Sequence, residues 1–294
     1  MAANPHIEGA QAFTLKSSPN SRIPILIAVP HAGRDYPEDV LARMRAPDAA
    51  CLKLEDRLVD AIGERVADAT GAALLVANAP RAVIDLNRAP DDMDWSMLEN
   101  GGRHRLAGKR TGPRARGGLG LVPRRLPGHG EIWRSPITEG DLRLRIDTIH
   151  RPYHAALATT LAAIRKRWGA ALLLDLHSMP PLPGSGAKFV VGDRFGSSCA
   201  GFVPAIAFDS FARAGVPAAH NRPYAGGYVL DRHGDPSRNI HAVQLEICRD
   251  LYLTPDRAAT SEGIDTVSEI VTGLVQRLAA EIAGQGGARR AAAE

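Results

Sequence analysis

The stretch Ile23–Val29 (IPILIAV) carries no polar side chain and stops abruptly at Pro30-His31-Ala32-Gly33. An apolar run of this length, without alternation, is the pattern of a strand buried on both faces, as in parallel sheets covered by helices on each side. Ala171–Leu176 (ALLLDL) repeats the pattern and runs into His177-Ser178. A sheet buried on both faces requires helical layers, and the chain supplies helical patterns between the strands. Glu55–Ala69 places Leu58, Ile62 and Val66 at helical spacing, with Gly71 placed to end the helix. Thr148–Trp168 reads as a second helix, and Ser261–Ala283 as a third with one apolar side. Further strands are expected at Ala72–Ala77, Arg81–Leu86, Lys188–Val191, Tyr228–Arg232 and Ile240–Ile247. Strands alternating with helices indicate an α/β fold around a mixed, mainly parallel sheet.

At 294 residues, the chain can bury a deep pocket in one domain, and neither a repeat nor a linker argues for two. The reading is therefore a single domain over residues 1–294. Its core spans about 20–284, with a Gly/Arg-rich loop over 91–125 that has little core of its own and a frayed tail from about 285. No apolar run is long enough to span a membrane, and Met1–Lys16 lacks the layout of a secretory signal, so a cytoplasmic location is expected. Cys51, Cys199 and Cys248 are scattered and odd in number, which argues against a disulfide framework.

The net charge of +4 comes from one segment. Arg103, Arg105, Lys109, Arg110, Arg114, Arg116, Arg124 and Arg125 fall in a stretch with no acidic residue, and the remainder carries 28 basic against 32 acidic residues. Such a cluster could bind phosphates. With aromatics at only 5% and none in the segment, a solvated loop or a lid facing an anionic substrate is the better reading, and nucleic acid is not an expected partner.

Chemistry concentrates at strand ends. In open α/β sheets, ligands bind beyond the carboxyl ends of the strands. His31 and His177 each follow an apolar strand, and two imidazoles at two such ends can share one ion. A catalytic zinc takes three protein ligands. The third is expected to be a carboxylate, Asp56 ahead of Glu55, although acids at a helix start also serve the helix dipole. Asp175, two residues before His177, shares its side of the strand and could orient a histidine. Glu246 sits inside an apolar strand, where a carboxylate is costly unless paired or functional; it is the candidate for moving a proton from the attacking water to the leaving nitrogen. Asn87-Arg88 follows another apolar run, and an arginine fork suits a carboxylate. Ala225-Gly226-Gly227-Tyr228 suits a turn facing a substrate, with Gly227 and Tyr228 as binding candidates. Metalloprotease HExxH, P-loop, GxSxG and GxGxxG patterns are absent.

The segments IPILIAVPHAG, EDRLVDAIG, PRAVIDLNRAPDD, GLVP, RPYHAAL, LLLDLHSMP and AGGYVLDRHGDPSRNIHAVQLEICRDLYL together resemble the N-formylglutamate amidohydrolase family, in its order and over most of Ile23–Leu253. The resemblance implies a fold like that of the zinc carboxypeptidases and a divalent metal, zinc being the expected ion. It implies hydrolysis of N-formyl-L-glutamate to formate and L-glutamate, the last step of one route of histidine breakdown. By the same likeness His31 and His177 match metal-binding histidines, with a carboxylate near Asp56 as their partner. Glu246 matches an acid/base glutamate, Asn87 and Arg88 a pair holding the substrate α-carboxylate, and Arg81 a group polarising the scissile carbonyl. The metal helix reads LKLEDRLVD, which leaves both Glu55 and Asp56 in play. A metallo-carboxypeptidase, or a hydrolase of another small anionic N-acyl amino acid, would use the same site.

Overall fold

In the computed structural model, which describes residues 12–16, 21–99 and 112–291, the strands are β1 (Phe13–Lys16), β2 (Ile25–Val29), β3 (Ala73–Ala77), β4 (Arg125–Leu126), β5 (Gly130–Glu131), β6 (Ala171–Met179), β7 (Phe189–Gly192), β8 (Ala218–His220) and β9 (Ile240–Cys248). The helices are α1 (Glu38–Ala42), α2 (Pro47–Leu54), α3 (Val59–Thr70), α4 (Pro113–Arg116), α5 (Glu139–Arg145), α6 (Arg151–Trp168), α7 (Phe202–Arg213), α8 (Tyr228–His233) and α9 (Gly263–Ala291). A π-helical turn, Ile146–His150, joins α5 to α6. The described chain falls into two compact units. One comprises the described residues within 1–14, 30–55 and 77–155, and the other those within 15–29, 56–76 and 156–294.

The second unit holds most of a seven-stranded sheet in the order β1-β3-β2-β6-β9-β7-β8. β2 lies parallel to β3 and β6, β6 parallel to β9 and β7 parallel to β8, while β7 runs antiparallel to β9. The sheet is mixed and mainly parallel, as the apolar runs require. Every residue of β2 has zero exposure, and α3 packs against β2 and β6 while α9 packs on α3. Apart from His241 at the start of β9, the buried polar side chains of β6 and β9 lie from the middle of each strand onward. In the β6–β9 register Asp175 faces Gln244 and His177 faces Glu246, all four buried. Because alternate residues share a face, these four occupy one face, while Leu174, Leu176, Val243 and Leu245 occupy the other.

The first unit is built from short helices, turns and the β4–β5 hairpin. Its buried residues include Met44, Met93, Met97, Ala115, Leu121, Val122, Trp133 and Ile137. Several of them come from 91–125, which corrects the expectation of a loop without a core. Among the described residues there, Met93, Met97, Ala115, Leu121 and Val122 are buried, and backbone bonds join the Leu121 amide to the Asp92 carbonyl and the Asp85 amide to the Leu121 carbonyl. Arg103, Arg105, Lys109 and Arg110 lie outside the described residues.

Four more expectations are corrected. Arg81–Leu86 forms turns, not a strand, because helix side chains take its carbonyls where a ladder would have done so. Tyr228–Arg232 is helical, in α8; six residues between Gly227 and Gly234 are too few for apolar content to distinguish helix from strand. Asp56 does not open a helix. It lies in the break between α2 and α3, just before Leu58 in a left-handed conformation (φ 57°). The C-terminal helix continues past its expected end at Ala283 through Ala291, while 292–294 lie outside the described residues. No helix among the described residues is long and apolar enough to cross a membrane.

Candidate active site

In the second unit the site is assembled around the end of β6. His177 Nδ1 lies 2.8 Å from Asp56 Oδ2, and Nε2 lies 2.9 Å from Asp175 Oδ2. Burial by itself pushes this imidazole's pKa down. Asp175, and then Asp56, overcome that and hold it well above the ordinary histidine value. The other oxygen of Asp56 receives Arg249 Nη2 at 3.3 Å and the Ser178 hydroxyl at 3.4 Å, while Arg249 Nε donates to Ser178 Oγ at 3.0 Å. Asp56 is thus gripped from both sides, with Oδ2 directed at the imidazole. Of the two candidate carboxylates, Asp56 meets His177, whereas Glu55 belongs to the first unit, where it neighbours Tyr36.

Glu246, 7% exposed, is aligned with His177 across the β6–β9 ladder, and Gln244 Nε2 donates to its Oε1 at 2.9 Å. Gly227 and Tyr228 begin α8, and the Tyr228 hydroxyl accepts from Arg232 Nη1 at 2.9 Å. The turn before them depends on Gly226 (φ +94°), where a Cβ would come within 2.4 Å of Leu230 Cδ2.

In the first unit His31 stands two residues beyond β2, with Nε2 2.7 Å from Asp85 Oδ1. Asp85 has zero exposure and also takes Arg81 Nε on Oδ2 at 2.8 Å and the Asn87 amide on Oδ1 at 2.8 Å. Burial raises the pKa of this carboxyl, but the positive groups around it, Arg81 foremost and then His31 and Arg88, bring it well below the ordinary carboxylate value. Arg88 is anchored through Nε to the Leu119 carbonyl at 2.9 Å and through Nη1 to the Asn87 carbonyl at 2.7 Å. Sequence reasoning did not single out Asp85, Arg249, Ser178 or Gln244. For Asp85 a signal existed: it is an acid inside the apolar run Ala82–Leu86, the same anomaly that marked Glu246.

His31 in the first unit, and Asp56 and His177 in the second, are all buried, and each offers one atom able to ligate a metal. Two imidazoles and one carboxylate are a donor set that suits zinc. Each of the three is also backed by a partner, Asp85 for His31, Asp175 for His177, and Arg249 with Ser178 for Asp56. Such outer contacts are what fix ring orientation and tautomer in metal sites.

Residues 23–253 match the model of the N-formylglutamate amidohydrolase family. The chain is 31% identical over 240 residues to an N-formylglutamate deformylase of Pseudomonas putida, covering 79% of this chain and 82% of that protein. It is 29% identical over 244 residues to an N-formylglutamate deformylase of Pseudomonas aeruginosa, covering 79% and 83%. Among solved structures, an N-formylglutamate amidohydrolase from Ralstonia eutropha JMP134 is similar at 31% identity and a TM-score of 0.83, over 93% of this chain and 99% of that one. A gene product of Agrobacterium tumefaciens shares the fold at 15% identity and a TM-score of 0.65.

Proposed function

Because the chain belongs to the N-formylglutamate amidohydrolase family, we propose that it hydrolyses N-formyl-L-glutamate to formate and L-glutamate in the cytoplasm, a step of histidine breakdown. The observation that carries this reading is the pairing of His177 with Glu246 in register on one sheet face, with Asp56 against the same imidazole. A site of this kind combines a cation-binding group with an adjacent proton carrier.

His31, Asp56 and His177 would hold a divalent ion, with zinc the best match to the donor set. Connectivity supports His31 as the third ligand. Ala28 is aligned with Asp175, and the chain leaves β2 at Val29, so His31 follows the strand beside the one that carries His177. When bound, such an ion supplies Lewis acidity to the formyl carbonyl.

Glu246 takes the proton of the attacking water and returns it to the departing amine. Its side chain is held by Gln244, so the carboxylate is oriented before substrate arrives. Arg81, fixed by Asp85, donates to the formyl oxygen as negative charge develops there. Asn87 and Arg88 hold the α-carboxylate, and the Gly227-Tyr228 turn faces the remainder of a small anionic substrate. Binding far from the reacting carbon then serves orientation. The test is formate release from N-formyl-L-glutamate, set beside N-acetyl-L-glutamate and a C-terminal dipeptide. Turnover of the formyl compound well above the other two is expected. Faster turnover of either competitor would replace this reading with that of a broader N-acyl hydrolase or a carboxypeptidase.

A further inference from the structure

The segment Arg81–Arg88 carries Asp85, Asn87 and Arg88 but has no regular secondary structure of its own. Its backbone is held by side chains from one continuous helical stretch within the first unit. Arg145 Nη1 donates to the Val83 carbonyl at 2.8 Å, His154 Nε2 to the Leu86 carbonyl at 3.0 Å, and His150 Nε2 to the Arg88 carbonyl at 2.9 Å. All three side chains are at most 3% exposed, and the two imidazoles lie tilted against each other at 46° with ring centroids 4.4 Å apart. Arg145 is fixed in turn by two bonds to Asp141.

The spacing of these residues is abnormal for an α-helix. His150 and His154 are four apart and share a side. Arg145 and His150 are five apart, which in an uninterrupted α-helix rotates them about 140° from each other. The π-turn Ile146–His150 lies between them, closed by a bond from the Arg151 amide to the Ile146 carbonyl. A π-turn absorbs one extra residue per turn, so residues five apart come onto one side and all three donors meet the same loop.

We infer that His150 and His154 are positioning residues for Asn87 and Arg88, and that the π-turn is the feature that gives them a common register with Arg145. The two histidines act on substrate only through the loop whose carbonyls they hold. The inference rests on the proposed role of Asn87 and Arg88 as the carboxylate clamp, and two readouts keep the two ideas apart.

The first readout is amide hydrogen exchange over 82–88, where Asp85 and Arg88 amides are bonded to the Leu121 and Asp85 carbonyls. The second is the division between KM and kcat for N-formyl-L-glutamate. His154→Leu and His150→Leu remove the donor. His154→Gln and His150→Gln retain an N–H. The leucine variants should exchange faster in this loop and raise KM about fivefold to tenfold, with kcat within about twofold. The glutamine variants should restore most of both. Should a leucine variant not fold, His150→Asn, whose amide is too short for the Arg88 carbonyl, carries the same expectation. Unchanged exchange and KM on loss of the donor, or glutamine behaving as leucine does, would overturn the inference. If exchange responds as expected but the wild type releases no formate from N-formyl-L-glutamate, the positioning stands and the functional reading falls.

Discussion

Buried carboxylates persist in a protein core only where something holds them, and the strongest statements about this chain concern the ones that are held. Glu246 is supported by Gln244, a neutral amide, and faces His177 across the ladder. Glu246→Gln keeps the shape and removes the proton carrier. Formate release should fall by about 10²- to 10⁴-fold, with metal content unchanged. Turnover near the wild-type level would remove Glu246 from the mechanism. Asp56 is different, since its support is a buried cation: Arg249 is 7% exposed and Asp56 3%. Arg249→Ala leaves that carboxylate short of its charged partner, and the expected loss is about 3–5 kcal/mol of unfolding free energy, read from the urea midpoint. A loss well under 1 kcal/mol would show that Ser178 and His177 suffice. His31, His177 and Glu246 were legible in the sequence because a polar residue beside or within an all-apolar strand contradicts its setting. Arg249 was not, because Arg249-Asp250 follows the strand end at Cys248, where a charged residue contradicts nothing.

At the scale of elements, the central strands were readable because burial on both faces removes alternation and leaves a run that only a covered sheet explains. The segments misread were those whose backbone is satisfied from outside. Arg81–Leu86 has a strand's composition, yet its carbonyls go to Arg145 and His154, sixty or more residues away. No local pattern encodes such partners, and the π-turn has no sequence signature either. α8 carries a further testable consequence. His233, its last residue, is pushed down to about 4 from 6.5, by burial first and then by Arg232. The unfolded chain therefore binds this proton more readily than the folded one between those values. The sign follows: the His233 contribution is intact above pH 6.5, and stability is lost as pH falls from 6.5 towards 4. The loss at the acid end is on the order of 3 kcal/mol. His233→Gln should flatten that part of the stability–pH curve relative to wild type. An identical slope in both proteins would contradict it.

At the scale of the whole molecule, the chain forms two compact units that interleave along the sequence. Each unit draws on three stretches of chain, and the crossings fall at Thr14–Leu15, Val29–Pro30, Glu55–Asp56, Val76–Ala77 and Ala155–Ala156, inside or at the edges of regular elements and not in a linker. A composition scan finds linkers and misses such crossings. The charge distribution was legible: the basic cluster lies in 103–125 on an otherwise slightly acidic chain. If that cluster serves an anionic substrate, random duplex DNA should not be retained even at low salt, whereas steep salt-dependent binding would reopen the nucleic-acid reading. The central claim is that His31, Asp56 and His177 hold the ion on which formate release depends. Elemental analysis of untagged wild type and His177→Ala, alongside formate release before and after chelation, tests it most directly. About one divalent ion per chain in the wild type, absent from the variant, with activity lost on chelation and regained with zinc, is the predicted result. Full formate release from wild-type protein stripped of divalent metal would contradict the account.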